Sequence, residues 1–347
     1  MDTSIYVNGR YTTQRTTGVQ RYARAVVRVI EEMRPLSVVR PPGAVAGRTG
    51  LDLLWEQCLL PTQVTAGGTL WSPTGSGPLT SSPHVVTLHD GAVLSHPEWF
   101  TSSYALWRRF FIPHLVRHAD AVITVSAFAK EHLTSELDVH PEKVVAIHNG
   151  CDHDRFQPAS QEERETVRRK LNLPSTYVLA LASLEPRKNF RRLIDAWRIL
   201  EQETSLEVPL IIAGGRPKHL LDSQTSEQAG NVRYLGYVAD DKLPALYSAA
   251  SLFVYPSVFE GFGLPVLESM ACGTPVVTSD TASLPEVAGD AAELIDPYSI
   301  ESIAEGIYIM LNDNDRRRSL KEKGMERSKS FTWKRTAAKT LDVIDAV

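Results

Sequence analysis

Phe259-Glu260-Gly261-Phe262-Gly263-Leu264-Pro265-Val266-Leu267-Glu268-Ser269-Met270-Ala271-Cys272-Gly273-Thr274-Pro275 follows directly on the apolar run Leu252-Phe253-Val254-Tyr255. The pattern reads as strand, glycine-rich loop, then helix. Gly261 and Gly263 let the backbone approach a ligand closely. Pro265 suits the start of a helix and Gly273 its exit, so the helix would run over 265–272. Its free N–H groups then point at the loop, where a phosphate is well received. Glu260 sits in the loop and Glu268 about one turn into the helix, with seven residues between them. Either Glu alone reads equally well as a carboxylate favourably placed against the helix dipole. Loop, glycines and both acids together favour a binding pocket.

Working outward, short apolar runs alternate with helical patterns along the whole chain, which predicts an α/β fold with parallel sheets. The early strands are expected at 4–7, 85–88, 121–125 and 144–147. A helix with Val19, Tyr22, Ala23, Val26 and Ile30 on one face follows the first. The later strands are expected at 177–181, 209–213, 232–235, 252–255 and 276–278, with helices at 189–202, 241–249, 265–272 and 300–312. The boundary between two doubly wound domains falls near 152–172. We divide the chain into 1–160, 161–330 and a terminal helix in 331–347 that returns to the first domain, with Ala338, Leu341 and Ile344 on its apolar face. Open α/β sheets bind ligands beyond the carboxyl ends of their strands, so chemistry should sit just after each apolar run.

Two such places add to the first. Ala182-Ser183-Leu184-Glu185-Pro186-Arg187-Lys188-Asn189 follows strand 177–181 and presents two adjacent cations before a helix. Arg187 as a fork and Lys188 as a point charge can hold a pyrophosphate; standing alone they would be solvated loop cations. His89-Asp90-Gly91 follows strand 85–88, and His89 is open to two readings, a site residue or a histidine bonded within its loop. Gly18, before the first helix, reads either as a site residue or as only a turn, and Ser126 reads as a helix N-cap.

Bulk properties narrow the class. The chain has 347 residues, 43% hydrophobic and 22% charged, with net charge −4, which is globular and offers no general affinity for nucleic acid. The first 160 residues carry 14 basic and 14 acidic side chains, so the front half is neutral. Three cysteines without metal-ligand spacing fit a reducing compartment. The N-terminal residues lack the basic start and apolar run of a signal peptide, and no window approaches the ~20 apolar residues that span a bilayer. The expected location is cytoplasmic.

The segment 259–275 resembles the Glu-seven-residues-Glu signature of retaining glycosyltransferases of family four, and the likeness extends from Gly18 to Trp333. The resemblance implies the GT-B fold, two Rossmann-like domains facing across a cleft. It implies that Glu260 contacts the donor sugar, Glu268 the nucleotide ribose, and the backbone of Gly261, Phe262, Gly263 and Leu264 the sugar and β-phosphate. Arg187 and Lys188 match the family's Pro-Arg-Lys-Asn stretch and would hold the diphosphate; some members carry a further Arg where Ser183 stands. His89 would approach the donor sugar or acceptor, Asp90 would lie on the acceptor side, and Gly18 near the donor phosphates. The partners implied are a nucleotide-sugar donor and a saccharide or lipid-linked glycan acceptor. The stretch Asn8-Gly9-Arg10 through Arg21-Tyr22, and Leu184-Glu185-Pro186-Arg187-Lys188-Asn189, resemble bacterial polysaccharide mannosyltransferases, which points to GDP-mannose. No cofactor and no metal are expected.

Asp152-His153-Asp154 mimics a metal motif of another glycosyltransferase fold but reads as a turn, as do Asp313 and Asp315. The aromatic and basic stretch 104–118 reads as a core helix with a solvated face; the alternative is a peripheral contact with the inner membrane face. Rival functions are a nucleotide-sugar epimerase of the same architecture and a non-catalytic sugar-binding descendant. Intact Glu260, Glu268, Arg187 and Lys188 count against the latter. A nicotinamide dehydrogenase would need Gly-x-Gly-x-x-Gly after a strand, which the chain lacks. A phosphorylase would need a pyridoxal-linked Lys and a longer chain.

Overall fold

A computed structural model describes residues 4–47, 50–182, 185–204, 206–215 and 231–347. Ser183 lies outside them. The chain divides into two compact units, Met1–Gly150 with Phe331–Val347, and Cys151–Ser330. Each is built on one six-stranded parallel sheet.

The first sheet contains β1 (Ile5–Asn8), β2 (Leu36–Val39), β3 (Thr69–Ser72), β4 (His84–Thr87), β5 (Ala121–Thr124) and β6 (Val144–Ala146), in the order β2-β1-β3-β4-β5-β6. The second contains β7 (Val178–Ala182), β8 (Leu210–Gly214), β9 (Val232–Gly236), β10 (Leu252–Tyr255), β11 (Val276–Ser279) and β12 (Glu293–Ile295), in the order β12-β11-β10-β7-β8-β9. Strand order therefore reverses between β1 and β3 in one sheet and between β7 and β10 in the other, the places where such sheets open a crevice.

Burial and composition together govern which strands the sequence discloses. Every residue of β3, β4, β5, β10 and β11 is buried, as helices cover both faces of a parallel sheet. The edge strands β2 and β12 each leave one residue exposed and mix polar with apolar positions, so neither forms an apolar run. Both escape the sequence reading. β3 escapes it too, because polar Thr69 and Ser72 flank its two apolar residues. The helix Gly18–Met33 buries Tyr22, Ala23, Val26, Val27 and Ile30. Phe190–Glu203 buries Phe190, Leu193, Ile194, Ala196, Trp197 and Leu200 over the second sheet.

The units part after Gly150, ten residues before the division drawn from sequence, because 151–160 packs with the second unit. The Arg155 guanidinium donates to the Asp240 carbonyl, Ala159 N donates to Ser248 Oγ at 3.0 Å, and the Phe156 ring lies 6.4 Å from that of Tyr247. The terminal helix Trp333–Asp345 belongs to the first unit. Thr336 Oγ1 donates to the His148 carbonyl at 2.7 Å, and Arg34 pairs with Asp345 at 2.8 Å. A Cβ on Gly150 would lie 2.2 Å from Trp333 N, so only glycine admits this approach. The buried face is Trp333, Thr336, Ala337, Thr340 and Ile344 rather than one through Ala338 and Leu341. Two threonines hide there by donating to carbonyls, which moves the stripe one residue from where apolar pattern alone puts it. Asp313 and Asp315 also differ from the turn expected. Asp313 caps the helix Asn314–Ser328, accepting from Arg316 N at 2.8 Å, and Asp315 sits in its first turn.

Candidate functional site

The loops after β7 and β10 stand side by side because those strands pair at the switch point of the second sheet. Pro186–Lys188 forms one 3₁₀ turn, closed by Asn189 in the left-handed region at φ 61°. The Asn189 side chain donates to the carbonyls of Pro256 at 3.0 Å and Pro297 at 2.6 Å, tying this turn to the loops beyond β10 and β12. Val258 N donates to the Arg187 carbonyl at 2.8 Å. Ser283 Oγ, fully buried, lies 2.9 Å from the Glu260 carbonyl and 2.8 Å from that of Phe262. The backbone around the charges is thus fixed from three directions.

Within that frame, Arg187 Nη1 meets Glu260 Oε2 at 2.7 Å and Lys188 Nζ meets Oε1 at 2.6 Å. Ser257 Oγ lies 2.6 Å from Oε1, and the Tyr255 hydroxyl donates to it at 2.9 Å; Lys188 Nζ also bonds the Tyr255 hydroxyl. Arg187 Nε bonds Glu185, a half-exposed carboxylate. Burial pushes the Glu260 carboxyl up, but the Arg187 and Lys188 charges outweigh it and bring the pKa down to about 2. Burial lowers Lys188 against the pull of Glu260, and burial, followed by the Glu260 charge, raises Tyr255 well above its ordinary value.

The helix begins at Leu264 and runs to Ala271, one residue ahead of the expected range, with Pro265 in its first turn. Gly263 precedes it at φ 110°, and a Cβ there would lie 2.7 Å from Leu284 Cδ2, so glycine is required on both counts. Gly261 and Phe262 are buried. Glu268 is buried one turn along, where the Tyr247 hydroxyl donates to Oε2 at 3.3 Å. The structure therefore gathers Arg187, Lys188 and Glu260 into one cluster and places Gly261, Phe262, Gly263, Leu264 and Glu268 on the loop and helix that continue it.

His89, Asp90 and Gly18 belong to the first unit. His89 Nε2 lies 3.0 Å from the Pro73 carbonyl, its ring meets that of Tyr22 edge-on at 4.7 Å, and burial lowers its pKa, leaving it neutral at pH 7. Asp90 accepts from Ala92 N at 3.1 Å. Gly18 opens the first helix in an exposed position. Ser126 caps Ala127–Leu137, accepting from Ala129 N at 3.0 Å. The Asp152 carbonyl accepts from Phe156 N at 2.7 Å, so Asp152-His153-Asp154 starts a turn. Among the described residues no three His, Cys, Asp or Glu side chains gather as a metal ion would need. Ser102–His118 buries Ala105, Phe111, Ile112, Leu115 and Val116, yet exposes Leu106 at 75% and Phe110 at 65% beside Arg109. No helix among the described residues is long and apolar enough to cross a membrane.

The sequence reading missed the polar supports. Local pattern shows Tyr255 only as strand and gives Ser257 and Ser283 no role. The signals were a tyrosine at the last position of a buried strand and a serine three residues before Glu260. A second cluster was missed entirely. At the β1/β3 switch point, Arg10 Nε meets Asp52 at 3.1 Å, while Nη1 meets Glu56 at 3.2 Å and Ser76 Oγ at 3.0 Å. Asn8 Nδ2 also donates to Glu56 at 2.7 Å.

A family model described as Glycosyl transferases group 1 matches residues 162–327, and one described as Glycosyltransferase Family 4 matches 67–155. O-antigen chain mannosyltransferase B of Escherichia coli is 36% identical over 278 residues, 77% of this chain and 72% of that protein. A serotype-specific mannosyltransferase of Escherichia coli is 32% identical over 240 residues, 67% of this chain but only 29% of that protein's length. Sucrose-phosphate synthase from Thermosynechococcus elongatus superposes with TM-score 0.78 over 99% of both chains at 18% identity, a likeness of fold.

Proposed function

This chain belongs to glycosyltransferase family 4, and on that premise we propose that it moves mannose from GDP-mannose to a saccharide or lipid-linked glycan acceptor, retaining the anomeric configuration and using no metal. The observation that carries the reading is the convergence of Arg187 and Lys188 on Glu260 at the switch point of the second sheet. Breaking the anomeric C–O bond leaves negative charge on a nucleoside diphosphate. Two preorganised cations and the N–H groups at the start of helix Leu264–Ala271 would stabilise that charge where other enzymes use Mg²⁺.

Glu260, ionised at neutral pH, would face the developing positive charge of the sugar, as carboxylates do in glycoside hydrolysis. Glu268 would hold the ribose, and Gly261, Phe262 and Gly263 would let backbone meet sugar and β-phosphate. His89, neutral and oriented by the Pro73 carbonyl and Tyr22, would approach the sugar or acceptor, with Asp90 on the acceptor side and Gly18 near the phosphates. Exposed Leu106 and Phe110 beside Arg109 support a peripheral contact of 104–118 with the inner membrane face, and hence a cytoplasmic location.

A thermal-shift series with GDP, UDP and dTDP, run with and without EDTA, tests the donor; GDP should stabilise most and EDTA should change nothing. With GDP-mannose and a mannose-terminated lipid-linked saccharide, the one-bond carbon–proton coupling of the new anomeric centre should report an α-linkage. A β-linked product would overturn retention.

A further inference from the structure

We infer that Glu260 is also a fixed counter-ion that competes with the diphosphate for Arg187 and Lys188, and so limits how tightly the product is held. This rests on the proposed reading of those two cations as the diphosphate site. The argument starts from which groups can move. Glu260 is 8% exposed at its side chain, and its backbone carbonyl is bonded by Ser283. Oε1 lies within reach of three donors, Lys188 Nζ, Ser257 Oγ and the Tyr255 hydroxyl. If Lys188 turns away, Tyr255 and Ser257 still hold the carboxylate where it is. Arg and Lys end long flexible stems, so the cations exchange partners and the carboxylate stays.

Both cations that would bind a diphosphate already donate to Glu260. Arg187 Nη1 meets Oε2 and Lys188 Nζ meets Oε1, each less than 3 Å away, so a phosphate oxygen that takes either of these donors has to win it from a carboxylate. Glu185 adds a weaker pull on Arg187 Nε from a more exposed position. Two cations thus face two carboxylates, and a diphosphate is held less tightly than two uncompensated cations would hold it. During the reaction, Glu260 released from the cations would face the sugar. Once the sugar has left, Glu260 would draw the cations back and favour departure of the nucleoside diphosphate. Tyr255 and Ser257 are positioning residues in this account, because they act through Glu260.

Isothermal calorimetry on the full chain, with GDP, UDP and inorganic pyrophosphate as probes, tests this. Glu260→Gln, nearly isosteric, should bind the tightest-binding nucleotide and pyrophosphate at least about tenfold more tightly. Glu185→Gln, on a half-exposed side chain, should tighten both by about two- to threefold. Lys188→Met should weaken both by about tenfold or more. Steady-state assays of Glu260→Gln should show stronger product inhibition together with a lower kcat. If Lys188→Met weakens binding while neither glutamine variant tightens it, the counter-ion role is wrong and the diphosphate site stands. If Lys188→Met leaves all three probes unchanged, the diphosphate reading fails and the counter-ion role with it. Should Glu260→Gln not fold, Glu260→Asp, whose shorter side chain draws the carboxylate back from both cations, should bind GDP and pyrophosphate more tightly, and unchanged affinity in it overturns the proposal.

Discussion

The two sheets place charged clusters at the same topological position with inverted composition. At the β7/β10 switch point two cations, Arg187 and Lys188, converge on one buried carboxylate, Glu260, with the half-exposed Glu185 also bonded to Arg187 Nε. At the β1/β3 switch point two carboxylates, Asp52 and Glu56, converge on one cation, Arg10. Exposure does not separate them, since the Arg10 and Lys188 side chains are 13% and 11% exposed. Charge does. A pair of cations sharing one buried carboxylate can still attract a polyanion, whereas a lone cation between two carboxylates repels one. On charge alone, the switch point of the second unit suits an anion and that of the first does not. The first cluster ties β1 to the helical segment 51–59 and to the loop after β3.

The largest contrast should appear on deleting a cation from each cluster. Arg10→Ala leaves Asp52 and Glu56 buried without their counter-charge and should cost about 3–5 kcal/mol of stability. Urea unfolding, with hydrogen exchange followed over 5–12 and 51–76, would locate the loss in the first unit. A loss near zero would mean that Arg10 is not the keystone of its cluster.

Lys188→Ala should show the reverse profile. Glu260 keeps Arg187, Tyr255 and Ser257, so stability should fall much less than with Arg10→Ala. Turnover should drop by on the order of 10²-fold or more if, as proposed, the lost charge acts on the leaving group. Steady-state kinetics beside a thermal melt separates the two effects. Unchanged turnover would remove Lys188 from the site.

A smaller contrast concerns pH. The folded pKa of Glu260, about 2, lies below its ordinary 4.5, so its contribution is present above pH 4.5 and is lost as pH falls from there through 2. Glu56 runs the other way. Burial raises its carboxyl against the pull of Arg10, Ser76 and Asn8, so the fold favours its charged form less than the unfolded chain does. Its contribution is complete below the ordinary carboxylate range and is lost as pH rises through the raised value. Hydrogen exchange at pH 3 and pH 7 should therefore show 255–263 loosening on acidification more than 51–60. Equal loosening of both stretches would contradict the opposed shifts.

How much of this was readable depends on chain distance. Arg187, Lys188, Glu260 and Glu268 stand just after apolar runs, and in a parallel sheet every such run ends at the same edge, so a local pattern gives their general place. The helix cap at Ser126 was readable for the same reason, since its bond reaches only three residues ahead. Asn189, Ser283 and Arg10 were not readable as supports. Asn189 bonds carbonyls 67 and 108 residues away, Ser283 bonds two carbonyls 23 and 21 residues back, and Arg10 reaches 42 to 66 residues ahead. Edge strands β2 and β12 were hidden because polar Ser37 and Glu293 leave no apolar run to see.

By itself, then, the sequence determined two parallel α/β sheets, the loop-to-helix geometry at Gly263 and Pro265, and which ionisable side chains stand beyond the strands. These follow from local periodicity, backbone sterics and the shared direction of parallel strands. Tertiary structure alone decided which charges meet. Strand order puts β7 beside β10, so Lys188 meets a glutamate 72 residues away, and it puts β1 beside β3, where Arg10 is taken up by carboxylates instead. Coulomb interactions depend on distance in space, and a chain that reverses strand order at a switch point brings together groups whose separation along the sequence carries no trace of it.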